Sequence, residues 1–71
     1  MSSAVRLPAA PLTPAVVRHM LGWSQIQVAA LAGVGVSSVR LYELRPDALS
    51  PETSQALGRA YAKMRALVLE R

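Results

Sequence analysis

The chain has 71 residues, no cysteine, 52% apolar residues and a formal net charge of +4. Its length suits one small domain, which buries only a modest part of its surface, and the lack of cysteine excludes a disulfide framework and a thiolate metal site. The apolar content is high for so small an interior. It indicates either a further buried surface, such as a dimer interface, or a count inflated by alanine. The basic charge favours an anionic partner.

The first twelve residues predict a flexible arm, because serine and proline interrupt them and their apolar residues show little periodicity. Arg6 in this arm is either a group that reaches a DNA minor groove, as basic arms do in some DNA-binding domains, or part of a tail without a role. The arm lacks the long apolar core of a secretion signal, and no apolar run in the chain approaches the roughly 18 residues that span a bilayer. We therefore expect a cytoplasmic protein with no membrane partner.

Thr13-Pro14 marks the start of the first predicted helix. It combines a capping hydroxyl with proline at the first helical position, where the missing N–H is not needed. The helix is predicted to run to about Leu21, with Val17 and Leu21 on its inner face, and to end at Gly22.

A capping box marks the start of the second predicted helix. Ser24 can accept a hydrogen bond from the amide of Gln27, whose side chain can reach back to the amide of Ser24. A helix over residues 25–32 follows. Gly33 stands where the chain must turn out of the helix axis, and glycine adopts a left-handed φ there without a Cβ penalty.

A third helix is predicted from Val36 to about Leu44. Gly35 is its cap, and Pro46 pushes the preceding residue out of helical geometry. The second helix, the glycine turn and the third helix together have the register of a helix-turn-helix that reads DNA, which normally presents its second helix to the major groove. The positions that two short crossed helices require to be apolar and inward are Val28, Ala29, Ala32, Val34, Val39 and Tyr42.

A fourth helix is predicted from Pro51 to about Glu70, because Ser50-Pro51 repeats the cap-then-proline pattern. One stripe at helical spacing consists of Leu57, Tyr61, Met64 and Val68. We expect the last turns to supply much of a two-fold dimer interface through Met64, Leu67, Val68 and Leu69. Arg59 and Lys63 share another face and are either solvated or secondary contacts to DNA phosphates.

Several short motifs lie in register between Thr13 and Glu43. They are Gly22-x-Ser24-Gln25, Val28-Ala29, Gly33-Val34 and Val39-x-x-Tyr42-Glu43, with Arg18 in the first helix. On these residues the chain resembles the Cro and phage-repressor (XRE-type) helix-turn-helix family. Gly35 departs from the serine or threonine usual at its position, and Leu41 stands where the family often has a polar base-reading residue. These departures do not affect the expected fold, but they leave open which side chains contact bases.

The resemblance implies an all-α fold, a compact four- to five-helix bundle of the lambda-repressor-like helix-turn-helix type. A flexible arm (residues 1–12) would precede a DNA-binding domain (residues 13–71) that ends in the fourth helix. The resemblance also implies binding to operator DNA, usually as a two-fold dimer. It further implies an ion pair between Arg18 and Glu43, which we expect to be partly buried and to lock the first helix to the third.

The resemblance places the first helix of the motif across the sugar-phosphate backbone. Ser24 and Gln25 match the phosphate-binding position, where free amides and the helix dipole favour an anion; alternatively, Gln25 is an ordinary solvated residue. Arg45 would approach the backbone as well. The groove-facing side of the third helix would consist of Val36, Ser37, Ser38, Arg40 and Leu41.

Arg40 is the residue of this groove-facing side that can form a bidentate pair with guanine. It would bind guanine, grip a phosphate, or do neither. Val36 and Leu41 would press on thymine methyl groups, or remain partly exposed or form a subunit contact. With so few strong hydrogen-bonding groups, recognition would depend heavily on DNA shape and on half-site spacing.

No motif supports catalysis. His19 is the only histidine, and the four acidic residues have neither metal-loop nor paired-carboxylate spacing; we therefore expect no catalytic residue, metal or cofactor. The leading hypothesis is a sequence-specific regulator, a repressor or autoregulator, that binds a palindromic double-stranded DNA operator as a homodimer. Two alternatives stay open: an antitoxin-like module with a protein partner as well as operator DNA, and a nonspecific architectural DNA binder whose affinity falls steeply with salt.

Overall fold

The computed structural model describes residues 11–70, which form four α-helices. These are α1 (Pro14–Leu21), α2 (Gln25–Ala32), α3 (Val36–Leu44) and α4 (Pro51–Leu69), with a short 3₁₀ turn (Pro46–Ala48) between α3 and α4. This part of the chain contains no strand, and the prediction of an all-α fold is confirmed. Most of the predicted arm, including Arg6, lies outside the described residues.

The helices begin where their caps predict. The side chains of Thr13 and Ser50 each accept the amide three residues further on. At the start of α2, the Gln27 amide donates to Ser24 Oγ at 3.1 Å, and the Ser24 amide donates to Gln27 Oε1 at 2.7 Å. Each cap satisfies backbone groups that a helix end leaves unpaired, at about 1 kcal/mol per cap.

The turn between α2 and α3 depends on Gly33, whose φ of 72° lies in the left-handed region. This conformation lets the amides of Gly33 and Val34 both donate to the carbonyl of Ala29, at 2.9 and 3.0 Å. The end of α2 is therefore closed, and the chain is redirected into α3. Gly35 caps α3 with an ordinary φ of −76° and provides no side-chain hydrogen bond.

All four helices contribute to one core, in which α4 packs against α1, α2 and α3. The core cluster consists of Val17, Val28, Ala29, Val39, Leu57, Tyr61, Met64 and Val68. The predicted apolar stripe of α4 is thus the side that α4 turns to the other three helices. Leu12, at the end of the predicted arm, packs against the same cluster.

The burial of α4 corrects two of the residues assigned to a dimer interface. Met64 is 0% exposed and Val68 is 7% exposed, since both face the core of their own protomer. Met64 has no free surface with which to contact a partner subunit, and Val68 has very little. Leu67 and Leu69, at 48% and 67% exposure, remain open on the last turns of α4.

Candidate nucleic-acid interface

The outer side of α3 is open to solvent, whereas its inner side is sealed in the core. Of the predicted groove-facing residues, Ser37, Arg40 and Leu41 are exposed and Ser38 is half-buried. Val36 departs from the prediction, because it is half-buried and packs against the core cluster. Val39, on the inner side, is 0% exposed. Residues three and four apart lie on the same face of a helix, so Leu44, which is 78% exposed, extends this outer side toward the end of α3.

The start of α2 presents its first amides beside two polar side chains. Ser24 uses its hydroxyl oxygen to accept the Gln27 amide. Gln25 is half-buried, and its Nε2 donates to Glu43 Oε1 at 3.1 Å. The sequence predicted a phosphate contact or a solvated position for Gln25, and nothing in the local sequence indicated this internal partner.

Arg18 and Glu43 form a bidentate ion pair between α1 and α3. Arg18 Nε lies 2.6 Å from Glu43 Oε2, and Arg18 Nη2 lies 3.0 Å from Glu43 Oε1. Their side chains are only 11% and 5% exposed. The remaining Nη1 donates to the carbonyl of Trp23 at 3.1 Å, so the guanidinium also fixes the chain between α1 and α2.

Tyr61 of α4 joins the same carboxylate, a contact that sequence reasoning did not predict. Its hydroxyl donates to Glu43 Oε2, and its ring stacks on Tyr42 with a centroid distance of 5.2 Å and an interplanar angle of 14°. The apolar stripe of α4 signalled that Tyr61 is buried, and a buried tyrosine hydroxyl normally needs a partner. Nothing in the local sequence identified that partner as Glu43.

A family model described as helix-turn-helix matches residues 17–63, which is more than half of the chain. The chain belongs to the helix-turn-helix family. The resemblance to its Cro-like, XRE-type members is confirmed, and the protein is a DNA-binding domain of the transcription-regulator kind. No curated protein and no solved structure matched the chain.

The charge states within this helix-turn-helix domain follow from the contacts of Glu43. Burial alone would raise the pKa of its carboxyl, but hydrogen bonds from Arg18, Tyr61 and Gln25 outweigh burial and hold this pKa below its usual value. The hydrogen bond to Glu43 raises the pKa of Arg18, against the effect of burial. Burial and the bond to Glu43 raise the pKa of the Tyr61 hydroxyl. At neutral pH, Glu43 is therefore ionised and Tyr61 is a donor.

The exposed cations of the helix-turn-helix domain lie on more than one side. Arg40 is exposed on α3, and Arg45 is exposed directly after the end of this helix. Arg59 and Lys63 lie beside a groove of about 130 Å³ between α2 and α4, which no residue of α3 lines. The outer side of α3 is a surface on which basic, hydroxyl and apolar side chains occur together.

Two further properties concern the described part of the domain. None of its helices is both long and apolar enough to cross a membrane. No group of three or more histidine, aspartate or glutamate side chains in residues 11–70 lies together in a way that could hold a metal ion.

Proposed function

We propose that this helix-turn-helix protein is a repressor or autoregulator that binds a palindromic operator as a two-fold dimer. The outer side of α3 carries the proposal, because it is open to solvent while Val39 seals the inner side. Each protomer inserts α3 into the major groove, with successive grooves about 34 Å apart on one DNA face. Repression follows because the bound dimer occupies DNA that the polymerase needs.

Base reading is assigned to the outer side of α3. Arg40 is its one side chain with the fork geometry that pairs with guanine, and Ser37 bonds several base edges with weak discrimination. Val36 and Leu41 press on thymine methyl groups, and Ser38 lies beside them. Since these groups make few strong hydrogen bonds, DNA shape contributes to the choice of site.

Phosphate binding is assigned to the start of α2 and to the residue after α3. The amides of Gln25 and Ile26, which the capping box does not pair, face one phosphate together with the side chains of Ser24 and Gln25, because free N–H groups and the helix dipole attract an anion. Arg45, exposed at the end of α3, neutralises another. These contacts fix the position of the protein on the duplex, whereas the α3 contacts choose the sequence.

Selection of bound sequences from a random DNA pool tests this function. The wild type should enrich an inverted repeat with half-site centres one helical turn apart. If Arg40 reads guanine, Arg40→Ala should lose the preference at one guanine of each half-site by about ten- to a hundredfold. If it grips a phosphate, the motif should persist with uniformly weaker binding.

The control variant is Arg59→Ala, which removes an exposed arginine away from α3 and should leave the enriched motif unchanged. No enrichment at moderate salt would contradict sequence-specific recognition. It would leave a nonspecific architectural binder, whose affinity depends on salt and not on sequence.

A further inference from the structure

The carboxylate of Glu43 has its full set of hydrogen bonds. Oε1 accepts from Arg18 Nη2 at 3.0 Å and from Gln25 Nε2 at 3.1 Å. Oε2 accepts from Arg18 Nε at 2.6 Å and from the Tyr61 hydroxyl. Because a carboxylate offers about four acceptor sites, each of these donors fills one of them, and Gln25 is part of the buried network.

This network fixes the side chain of Gln25 from three other helices. Glu43 belongs to α3, and it is held in turn by Arg18 of α1 and by Tyr61 of α4. The carboxamide of Gln25 has two N–H groups. One donates to Glu43, and the other makes no hydrogen bond within residues 11–70. Gln25 is only half-buried and is the first residue of α2, so its side chain is partly accessible to solvent and starts from the helix N-terminus.

We propose that Glu43 and Tyr61 are positioning residues for DNA binding. Glu43 holds one N–H of Gln25 so that the second is set to meet a DNA phosphate, and Tyr61 holds Glu43 in the orientation that this requires. The inference rests on the proposed function, in which the start of α2 faces a phosphate. Its physical basis is preorganisation, since a long flexible side chain that is already ordered loses less entropy on binding.

A double-mutant cycle on Gln25 and Tyr61 tests the proposal. Tyr61→Phe removes the hydroxyl and keeps the ring that stacks on Tyr42. The measurement is the Kd for a 20-base-pair duplex of mixed sequence at low ionic strength, because phosphate contacts do not depend on sequence. All variants are compared at a temperature at which circular dichroism shows each to be folded.

Tyr61→Phe should weaken duplex binding by about two- to tenfold, the effect of one side chain that must be ordered on binding. Gln25→Ala should weaken it at least as much. In the Gln25→Ala background, Tyr61→Phe should cause no further loss, because the side chain that it positions is absent. Tyr42→Phe is the matched control, since it removes the hydroxyl of the stacked partner; it should leave the Kd unchanged in both backgrounds.

An equal loss from Tyr61→Phe in both backgrounds would overturn the positioning role, because Tyr61 would then act on binding without Gln25. A second measurement needs no variant. The side-chain amide resonances of Gln25 in the wild type should shift when duplex is added. Duplex binding without such a shift would overturn the inference and the phosphate contact assigned to Gln25, but DNA binding through α3 would stand. No duplex binding at all would overturn both the inference and the proposed function.

Discussion

A buried carboxylate costs free energy unless its charge is compensated, and Glu43 is compensated by the groups around it. Its side chain is 5% exposed and faces the guanidinium of Arg18. The pair stabilises the fold less than its Coulomb attraction suggests, because both charges have left water. Loss of one partner destabilises the fold strongly, since the other charge then stays buried without compensation.

Arg18→Ala should therefore lower the free energy of unfolding at pH 7 by about 3 kcal/mol, measured by urea denaturation. Arg59→Ala removes an exposed arginine and serves as the control, with a change within about 0.5 kcal/mol. Contacts lower the pKa of the Glu43 carboxyl in the folded state. The stabilisation that Glu43 provides is therefore fully present above the carboxyl's unfolded pKa of about 4.3, and it is lost as the pH falls through its lower pKa in the folded state. An Arg18→Ala midpoint equal to that of the wild type would contradict a compensated buried pair.

Residue-level prediction succeeded where a resemblance supplied a partner and failed where the partner depended on packing. The pairing of Arg18 with Glu43 was expected from the family resemblance. Gln25 and Tyr61 each lie 18 residues from Glu43 along the chain, and no local rule connects residues so far apart. Only the arrangement of the helices brings their donors to one carboxylate.

At the scale of elements, the helix bounds could be predicted because caps and glycine turns act locally. The starts of α1, α2 and α4 each follow from a capping side chain within three residues. The 3₁₀ turn Pro46–Ala48 was not predicted, although Pro46 explains why α3 stops. The turn leads into Leu49, which packs against the core. This packing is a tertiary contact that local sequence rules do not predict.

Two glycines of the helix-turn-helix should respond to substitution with opposite signs. Gly33→Ala should destabilise the domain by about 1–2 kcal/mol, because an L-residue is strained at a left-handed φ, although a Cβ there would meet no atom within 4 Å. Gly35→Ser should stabilise it by a few tenths of a kcal/mol, since serine adds the missing capping hydroxyl to α3. Urea denaturation measures both. A neutral Gly33→Ala would mean that the turn relaxes to a negative φ.

At the scale of the whole molecule, the apolar surplus of the sequence divides between a core and an open surface. The stripe on α4 was predicted correctly, but helical spacing alone cannot separate a core side chain from an interface side chain, because both are apolar. Burial makes this distinction: Met64 and Val68 complete the protomer, and Leu67 and Leu69 remain exposed. In the proposed dimer, these two leucines supply exposed apolar surface to the interface with the partner subunit.

The variant Leu67→Asn/Leu69→Asn should accordingly convert the dimer to a monomer in sedimentation experiments. Binding to a palindromic duplex should weaken by at least about a hundredfold, because two linked protomers bind with an effective concentration that separate protomers lack. Binding to a single half-site should not change. Leu31→Asn is the matched control, since Leu31 is 47% exposed against 48% for Leu67 but lies on α2. This interface would be ruled out if the wild type sediments as a monomer at high concentration, even on a palindromic duplex. A two-fold dimer that places α3 in successive major grooves requires two protomers in contact.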